Sequence, residues 1–377
     1  MYNVLTLNKI AACGTDLLDK SKYTVSDDEK NPDAILVRSA SMHEMELPGN
    51  LLAIARAGAG VNNIPIDKCT EKGVVVFNTP GANANAVKEL VIAGLLLSSR
   101  KIPAAMDWIK TLKGKGDEVG KLVEKGKSQF VGPEIMGKKL GVIGLGAIGI
   151  LVANAAAELG MDVYGADPYL SVENALKLSG KVHYVKSNKE IFEKCDYITL
   201  HVPALPDTKG MINAEAIASM KKTVRLLNFA RDTLVDEKAI IDALANGGMA
   251  CYVTDFATDG LIGLDGVVAM PHLGASTPES EDNCAMMAAR EVKEYLDNGS
   301  IINSVNLPNL TMAWAAKTRV CVISKGADAA AIAGAVPAVA SASNTRGAYA
   351  YTILDTDAAV DEAAIAAIPG VLRVRVL

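Results

Sequence analysis

The 377-residue chain has few of the features that would direct it to nucleic acid, a membrane or an oxidising compartment. Its formal net charge is −5 with both signs mixed, so no basic surface for nucleic acid is indicated. The longest apolar runs, such as residues 90–97, are far too short to cross a bilayer. The first residues lack the basic flank and apolar core of a signal peptide. We therefore expect a cytoplasmic protein with neither nucleic acid nor membrane as its partner.

The cysteine and aromatic content of the chain limits the class of protein further. The six cysteines are scattered without a CxxC spacing, which indicates reduced and mostly buried thiols and no metal site. Aromatic residues make up only 5% of the chain, whereas half of all residues are apolar. This composition favours alanine- and valine-rich α/β layers over an all-β sandwich, and the length allows two or three domains.

The most informative stretch is a glycine-rich turn that follows a short apolar strand. Gly144, Gly146 and Gly149, with Ala147 and Ile148 between them, form a GxGxxG pattern that opens a predicted helix over residues 148–159. The first glycine would allow a tight turn, the second a close approach of the backbone to a pyrophosphate, and the third close packing of the helix. The pattern predicts a dinucleotide cradle.

An acidic residue supports this interpretation. Asp167 ends the next predicted strand, about 20 residues after the glycines, where an acid accepts hydrogen bonds from the adenosine ribose. A carboxylate there repels a 2′-phosphate, so we expect NAD rather than NADP as the cofactor.

Short apolar strands alternate with helices on both sides of the cradle, as in parallel sheets covered on both faces. Polar residues follow three strands of the first domain. At two of these places Arg38, Ser39, Arg56 and the turn of Gly58, Ala59 and Gly60 are candidates for substrate binding, because arginines and backbone amides suit a carboxylate or a phosphate. We predict first-domain strands at residues 4–7, 34–37, 51–54 and 74–77 and a helix at 84–99. Lys88, near the start of that helix, is a weaker candidate for binding the phosphate group of a substrate. We predict that residues 101–130 form a crossover helix and an arm that packs on a second subunit. The cradle begins a doubly wound sheet of about six strands, and a helix at 277–298 returns the chain to the first domain.

Hydride transfer at a hydroxyl carbon needs a base for the proton and a cation for the substrate carboxylate. Arg231 and His272 both follow predicted strands downstream of the cradle. A surface ion pair between Arg231 and Asp232, and a capping role for His272, are the alternatives.

Taken in order, six motifs closely resemble the D-2-hydroxyacid dehydrogenases over nearly all of residues 1–310. They are the GxGxxG turn, Asp167-Pro168, His201-Val202-Pro203, Asn228-Phe229-Ala230-Arg231, Thr254-Asp255-Phe256, and the segment from Pro271-His272 through Gly274-Ala275 to Thr277.

The resemblance implies a fold of two doubly wound parallel-sheet α/β domains. A discontinuous catalytic domain (residues 1–98 and 272–310) would receive an inserted Rossmann NAD domain (99–271). It also implies that His272 is the acid/base, that Arg231 binds the substrate carboxylate, and that Asp255 lies beside the nicotinamide. The cofactor would further be lined by His201, Val202, Pro203, Thr208, Phe229, Ala230, Gly274 and Ala275.

One departure from the family concerns the acid that orients the histidine. The family has a glutamate three residues after the phenylalanine, and this chain has Asp259 there, one methylene shorter. The implied activity is NAD-dependent oxidation of a phosphorylated 2-hydroxy acid, 3-phospho-D-glycerate, by a homodimer or homotetramer. A hydroxypyruvate or glyoxylate reductase and a non-catalytic NADH-sensing protein are the alternatives.

The tail, residues 318–377, resembles an ACT domain, a small α+β module. Residues 324–343 are rich in alanine, and Pro337 interrupts any helix there, so a full helix and a second strand are not expected. The first loop also lacks the Pro-Gly and the Asn or His with which such domains hold amino acids. We therefore predict a shortened module that stabilises or dimerises the chain and does not sense serine.

Overall fold

A computed structural model describes residues 1–377. None of its helices combines the length and the apolar character needed to span a bilayer. The strands are β1 (Tyr2–Leu7), β2 (Tyr23–Ser26), β3 (Ala34–Val37), β4 (Ala53–Arg56), β5 (Val75–Asn78), β6 (Lys139–Ile143), β7 (Asp162–Ala166), β8 (His183–Tyr184), β9 (Tyr197–Leu200), β10 (Arg225–Asn228), β11 (Cys251–Thr254), β12 (Val267–Ala269), β13 (Thr318–Lys325), β14 (Ala340–Arg346), β15 (Tyr349–Thr356) and β16 (Val371–Val376).

The helices begin mostly with polar N-cap residues, such as Thr277, whose side chain accepts a hydrogen bond from the Ser280 amide. They are α1 (Ala12–Thr15), α2 (Ile66–Glu71), α3 (Ala84–Arg100), α4 (Ile102–Lys110), α5 (Val119–Gly126), α6 (Ala147–Glu158), α7 (Val172–Lys177), α8 (Asn188–Lys194), α9 (Ala214–Ala218), α10 (Glu237–Ala245), α11 (Pro278–Asn298), α12 (Ala329–Gly334) and α13 (Glu362–Ala366).

The chain forms two compact units, residues Met1–Asn83 with Thr277–Leu377, and residues Ala84–Ser276. The first unit contains a parallel five-stranded sheet in the order β2-β1-β3-β4-β5. Alternate residues of β3 enter separate apolar clusters, with Ala34 and Leu36 in one and Ile35 and Val37 in the other. Burial on both faces explains why these strands are continuously apolar.

The second unit contains a parallel seven-stranded sheet in the order β12-β11-β10-β9-β6-β7-β8, one strand more than predicted. Helix α3 packs within this unit, because Val87, Val91 and Leu95 join the apolar cluster of β6 and α6. The boundary between the two compact units lies at Asn83, before this helix. The functional division into substrate, NAD and tail domains stays a prediction.

The tail contains more regular structure than the sequence indicated. Its antiparallel sheet, β14-β15-β13-β16, belongs to a β-α-β-β-α-β arrangement. The expectation that a second strand is missing is wrong, because β14 occupies residues Ala340–Arg346. The first helix is short, as Pro337 suggested. The resemblance to an ACT domain stays a prediction.

The tail packs against the carboxyl end of α11, where the last carbonyl groups of a helix generally need donors from outside it, although the Tyr295 carbonyl also accepts the Gly299 amide at 3.0 Å. Arg319 and Arg375 are buried and donate hydrogen bonds to several of these oxygens. The bonds run from Arg375 to the carbonyls of Tyr295 (2.9 Å) and Leu296 (3.0 Å), from Arg319 to Asn298 (2.8 Å), and from the Tyr351 hydroxyl to Gly299 (2.6 Å).

A buried acid lies on the same helix. Glu291 is 5% exposed, and its Oε1 accepts a hydrogen bond from Asn303 at 2.7 Å, whereas its Oε2 has no partner. Burial raises the pKa of Glu291 from 4.5 to about 8. The folded protein therefore holds this carboxyl group in its protonated form at neutral pH.

We predict that Glu291 makes the folded state less stable as the pH rises. Between about pH 4.5 and 8 the folded chain keeps this proton and the unfolded chain does not, so stability falls by up to about 1.4 kcal/mol per pH unit. Glu291→Gln should flatten this fall in urea unfolding measured from pH 5 to 8. The exposed Glu279→Gln serves as the control, and an equal effect of both variants would contradict the prediction.

Candidate active site

The glycine-rich turn between β6 and α6 has the geometry that the sequence predicted. Gly144 has a φ of +94°, which favours glycine. A Cβ on Gly149 would stand 1.9 Å from the Gly144 carbonyl oxygen, so only glycine allows the helix to lie this close. A Cβ on Gly146 would meet no atom within 4 Å. The N-terminus of α6 is therefore open where a pyrophosphate would lie.

Asp167 follows β7 and is held in place from several sides. Its Oδ2 accepts a hydrogen bond from the Leu145 amide (2.8 Å) and its Oδ1 one from the Tyr169 amide (2.8 Å). The Tyr184 hydroxyl donates to the Asp167 carbonyl at 3.0 Å. Each carboxylate oxygen retains capacity for a ribose hydroxyl. The glycine turn and this acid together fit NAD.

The strand order reverses at β6, which has β7 on one side and β9 on the other. Ligands of open α/β sheets bind at the carboxyl ends of strands at such a point. His201 follows β9 there, and its Nε2 lies 3.0 Å from the Thr199 hydroxyl. Burial lowers the pKa of His201 to about 3, so its ring is neutral.

The loop after β9 is shaped by its own residues. Val202 lies beside the glycine turn, with its Cγ1 2.9 Å from the position of a Cβ on Gly144. Thr208 donates a hydrogen bond to the Pro203 carbonyl (2.6 Å) and accepts one from the Leu205 amide (2.8 Å). These bonds fix the loop that was predicted to line the cofactor.

The segment after β10 presents an arginine without an acidic partner. The Asn228 side chain donates to the Arg231 carbonyl at 2.8 Å, and Arg231 donates to the Ala230 carbonyl at 2.6 Å. No ion pair forms between Arg231 and Asp232, which was the alternative. Phe229 is buried against Gly94 of α3, so its ring packs in the core.

His272 differs from the other three histidines. His43, His183 and His201 each have a polar partner for a ring nitrogen, whereas His272 has none and is exposed. Its ring packs edge-on against Phe256, with centroids 5.0 Å apart. A substrate hydroxyl can therefore reach its ring nitrogens without displacing a protein group.

Two acids were predicted near His272, and they have different surroundings. Asp255 is 3% exposed, and its Oδ1 has no hydrogen-bond partner. Burial raises the pKa of Asp255, while the nearby His272 and Arg231 charges and the Gly274 amide act in the opposite direction. Asp259 is exposed, and no hydrogen bond or ion pair joins it to His272. Gly274 is buried and Ala275 half-buried in the same loop.

The remaining predicted substrate residues, except Lys88, lie in the first unit. The exposed Arg38 forms an ion pair with Glu281 of α11 at 2.6 Å. Arg56 donates to the Arg38 carbonyl (3.1 Å), and its guanidinium occupies the space that a Cβ on Gly58 would need. The adjacent turn is fixed by a bond from Asn78 to the Ala59 carbonyl (2.7 Å), and Gly60 is half-buried.

Two other predicted residues make local contacts. The Ser39 amide donates to the Asn8 side chain at 2.9 Å. Lys88, on α3, forms an ion pair with the neighbouring Glu89 at 3.7 Å. Sequence reasoning did not assign the supporting roles of Asn228, Tyr184 and Glu281. Only Asn228 carried a signal, since it belongs to the motif that ends at Arg231.

Comparisons with known proteins agree with this geometry. Residues 92–274 match the family model described as D-isomer specific 2-hydroxyacid dehydrogenase, NAD binding domain. The D-3-phosphoglycerate dehydrogenase of Bacillus subtilis is 34% identical over 329 residues, 82% of this chain and 60% of its own length. That of Rattus norvegicus is 35% identical over 296 residues, 76% of this chain and 53% of its own length.

A solved structure has the same fold. The NAD+-bound 3-phosphoglycerate dehydrogenase of Entamoeba histolytica superposes with a TM-score of 0.65 at 27% identity, covering 82% of this chain and 99% of that one. The fold and the glycine turn define a dinucleotide-binding protein. Over residues 92–274 the chain is similar to the NAD-binding domain of the D-isomer-specific 2-hydroxyacid dehydrogenases. It spans 60% and 53% of the length of the two curated relatives described above.

We predict that two glycines of the turn have separable roles. Gly149→Ala should destabilise the protein by about 1–3 kcal/mol, because its methyl group would overlap the Gly144 carbonyl. Gly146→Ala should leave the melting temperature nearly unchanged but weaken NADH binding by at least about tenfold, since its methyl group would enter the pyrophosphate space. Calorimetric titration with NADH and thermal unfolding measure the two effects. Unchanged NADH affinity in Gly146→Ala would contradict the assignment.

Proposed function

We propose that this protein is an NAD-dependent dehydrogenase that interconverts 3-phospho-D-glycerate and 3-phosphooxypyruvate, the first step of serine biosynthesis, in the cytoplasm. The carrying observation is that Arg231 and His272 are both exposed, that Arg231 has no carboxylate partner, and that neither ring nitrogen of His272 has a hydrogen-bond partner. An unpaired guanidinium suits a substrate carboxylate, and an imidazole with free nitrogens suits a hydroxyl proton. The names of the two curated relatives support the choice of substrate.

The chain's own residues provide the groups for this chemistry. His272 takes the proton of the C2 hydroxyl during oxidation and returns it during reduction. Arg231 binds the carboxylate and polarises the adjacent carbonyl oxygen. Asp167 and the glycine turn position the cofactor. NAD held by these residues would supply the acceptor for the hydride of C2.

The phosphate group of the proposed substrate needs positive charge around it. We propose that Arg38 and Arg56 provide this charge, with Lys88 as a weaker candidate. Arg38 is paired with Glu281, but both side chains are about two-fifths exposed. Exposed ion pairs contribute at most about 1 kcal/mol, so a phosphate dianion can replace the glutamate. The backbone amides of the turn at Gly58, Ala59 and Gly60 suit an anion in the same way.

A steady-state assay tests the proposal. The purified protein should reduce 3-phosphooxypyruvate with NADH, and its kcat/KM should be at least about tenfold higher with NADH than with NADPH, because Asp167 repels a 2′-phosphate. Arg56→Ala should raise KM for this substrate much more than KM for hydroxypyruvate. A preference for hydroxypyruvate or glyoxylate would instead indicate a reductase of that type. NADH binding without turnover of any of the three would indicate a non-catalytic sensor.

We also propose that the chain forms a homodimer through the arm at residues 101–130. Helix α4 exposes three apolar side chains along one face: Ile102 (37% exposed), Met106 (58%) and Ile109 (44%). Apolar faces of this kind favour association with a second copy.

We expect Met106→Glu to weaken this association, because it places a charge within the apolar face. Sedimentation equilibrium of the wild type and the variant measures the effect. Glu124→Gln, on the neighbouring α5, is the control for a charge change outside that face. A monomeric wild type, or a dimer unaffected by Met106→Glu, would contradict the proposal.

A further inference from the structure

We propose that Gly94 and Tyr252, which lie outside every motif described above, are positioning residues for Arg231. They hold the backbone segment that ends at Arg231 from opposite faces of the seven-stranded sheet. The inference rests on the proposed function for the role of the Arg231 guanidinium as the group that binds the substrate carboxylate. The contacts that support it lie within one compact unit, residues Ala84–Ser276.

The segment from Asn228 to Arg231 leaves the sheet at the end of β10. Alternate residues of a strand point to opposite faces of its sheet, and this alternation continues into the segment. The Asn228 side chain contacts Tyr252, which belongs to the apolar cluster that includes residues of α9 and α10. Phe229 belongs to the cluster that includes residues of α3 and α6. Two consecutive side chains therefore attach the segment to the two faces.

On the first face, the Asn228 side chain bonds the backbone of the segment at two places. Asn228 is fully buried, and its Oδ1 accepts a hydrogen bond from the Ala230 amide at 3.2 Å. Its Nδ2 donates to the Arg231 carbonyl at 2.8 Å and to the Tyr252 hydroxyl at 3.4 Å, so both of its hydrogens are used. Tyr252 is 3% exposed and belongs to β11, which leaves its hydroxyl little freedom to move. The hydroxyl thus keeps the Asn228 amide turned towards the segment.

On the second face, Gly94 leaves space for the Phe229 ring. A Cβ on Gly94 would stand 2.9 and 3.0 Å from two ring carbons of Phe229 and 3.3 Å from Cδ2 of Leu227. Carbon atoms that are not bonded to each other usually lie about 3.5–4.0 Å apart. Gly94 is also within the 17-residue helix α3, where glycine is less stable than alanine by about 1 kcal/mol. The packing of the ring explains why this position carries no side chain.

The backbone transmits these contacts to the guanidinium. The Arg231 side chain is exposed, and its Nη1 donates to the Ala230 carbonyl at 2.6 Å. The amide of the same Ala230 is the group that Asn228 holds. A displacement of the segment therefore moves the guanidinium with it. A misplacement of about 1 Å at a reacting centre can lower the rate about 100-fold.

The test uses one variant for each face. Tyr252→Phe keeps the ring and removes the hydroxyl, and Gly94→Ala adds a methyl group against Phe229. In the full-length protein without ligand, we expect hydrogen exchange of the peptide that spans residues 228–234 to be about threefold faster or more in both variants, because the bond to the Ala230 amide weakens.

The kinetic measurement distinguishes positioning from a general loss of stability. We expect KM for 3-phosphooxypyruvate to rise about threefold or more in Tyr252→Phe, as for one lost hydrogen bond, and about tenfold or more in Gly94→Ala. The Kd for NADH should stay within about twofold of the wild-type value in both, because the glycine turn and Asp167 are on other strands of the sheet. Unchanged exchange or unchanged KM in a folded Tyr252→Phe protein would overturn the proposal.

Two variants serve as matched controls. Tyr164→Phe removes a tyrosine hydroxyl from β7, where it donates to Asp162 at 3.1 Å. Gly334→Ala adds a methyl group to helix α12, where it would meet no atom within 4 Å. Neither should change the exchange of residues 228–234 or KM, and an equal change in either control would also overturn the proposal.

Phe229→Leu is the second variant for the face of Gly94, because it withdraws the ring from this space without an overlap. It should speed the same exchange and raise KM, and a folded Phe229→Leu protein with wild-type exchange counts against the proposal. Hydrogen exchange needs no turnover, so it separates this inference from the proposed function. Faster exchange in variants of a protein that reduces neither 3-phosphooxypyruvate, hydroxypyruvate nor glyoxylate would leave the two contacts assigned and the proposed reaction wrong.

Discussion

The carbonyl groups at the carboxyl end of α11 need hydrogen-bond donors from other parts of the first unit. This helix has a 21-residue span and carries Ala288, Val292 and Tyr295 of the largest apolar cluster in that unit. Its last carbonyls would be costly to bury without donors, and the tail provides them through two arginines and a tyrosine. The arginines also place positive charge at the negative end of the helix dipole.

Burying these two charged guanidinium groups costs desolvation free energy. A different interaction offsets that cost at each arginine. Arg319 is fully buried and forms a bidentate pair with Asp355, at 2.7 and 2.9 Å. Burial alone would raise the pKa of Asp355, but the Arg319 guanidinium and the Ala315 amide outweigh it and lower that pKa. Arg375 lies over the Tyr295 ring instead, 4.5 Å from its centroid. The tail is thus a structural part of the first unit, and one face of its sheet packs against the rest of that unit.

The sequence predicted the buried parts of the fold better than its edges. Central strands such as β3 and β9 are apolar throughout, because both faces are covered, and their pattern is distinctive. The strands that were missed, β2 and β14, lie at the edges of their sheets. The polar residues of β14, from Ser341 to Arg346, suit an exposed edge and resemble a loop in sequence. Pairing with β15 decides its structure, and that pairing is not visible in the local pattern.

The same distinction applies to the site: features set by the local sequence were predictable, and contacts formed by tertiary packing were not. The glycine turn and Asp167 were predictable because their roles depend on backbone geometry within one βαβ unit. The ion pair of Arg38 with Glu281 was not, since the two residues are far apart in the chain and meet only through packing.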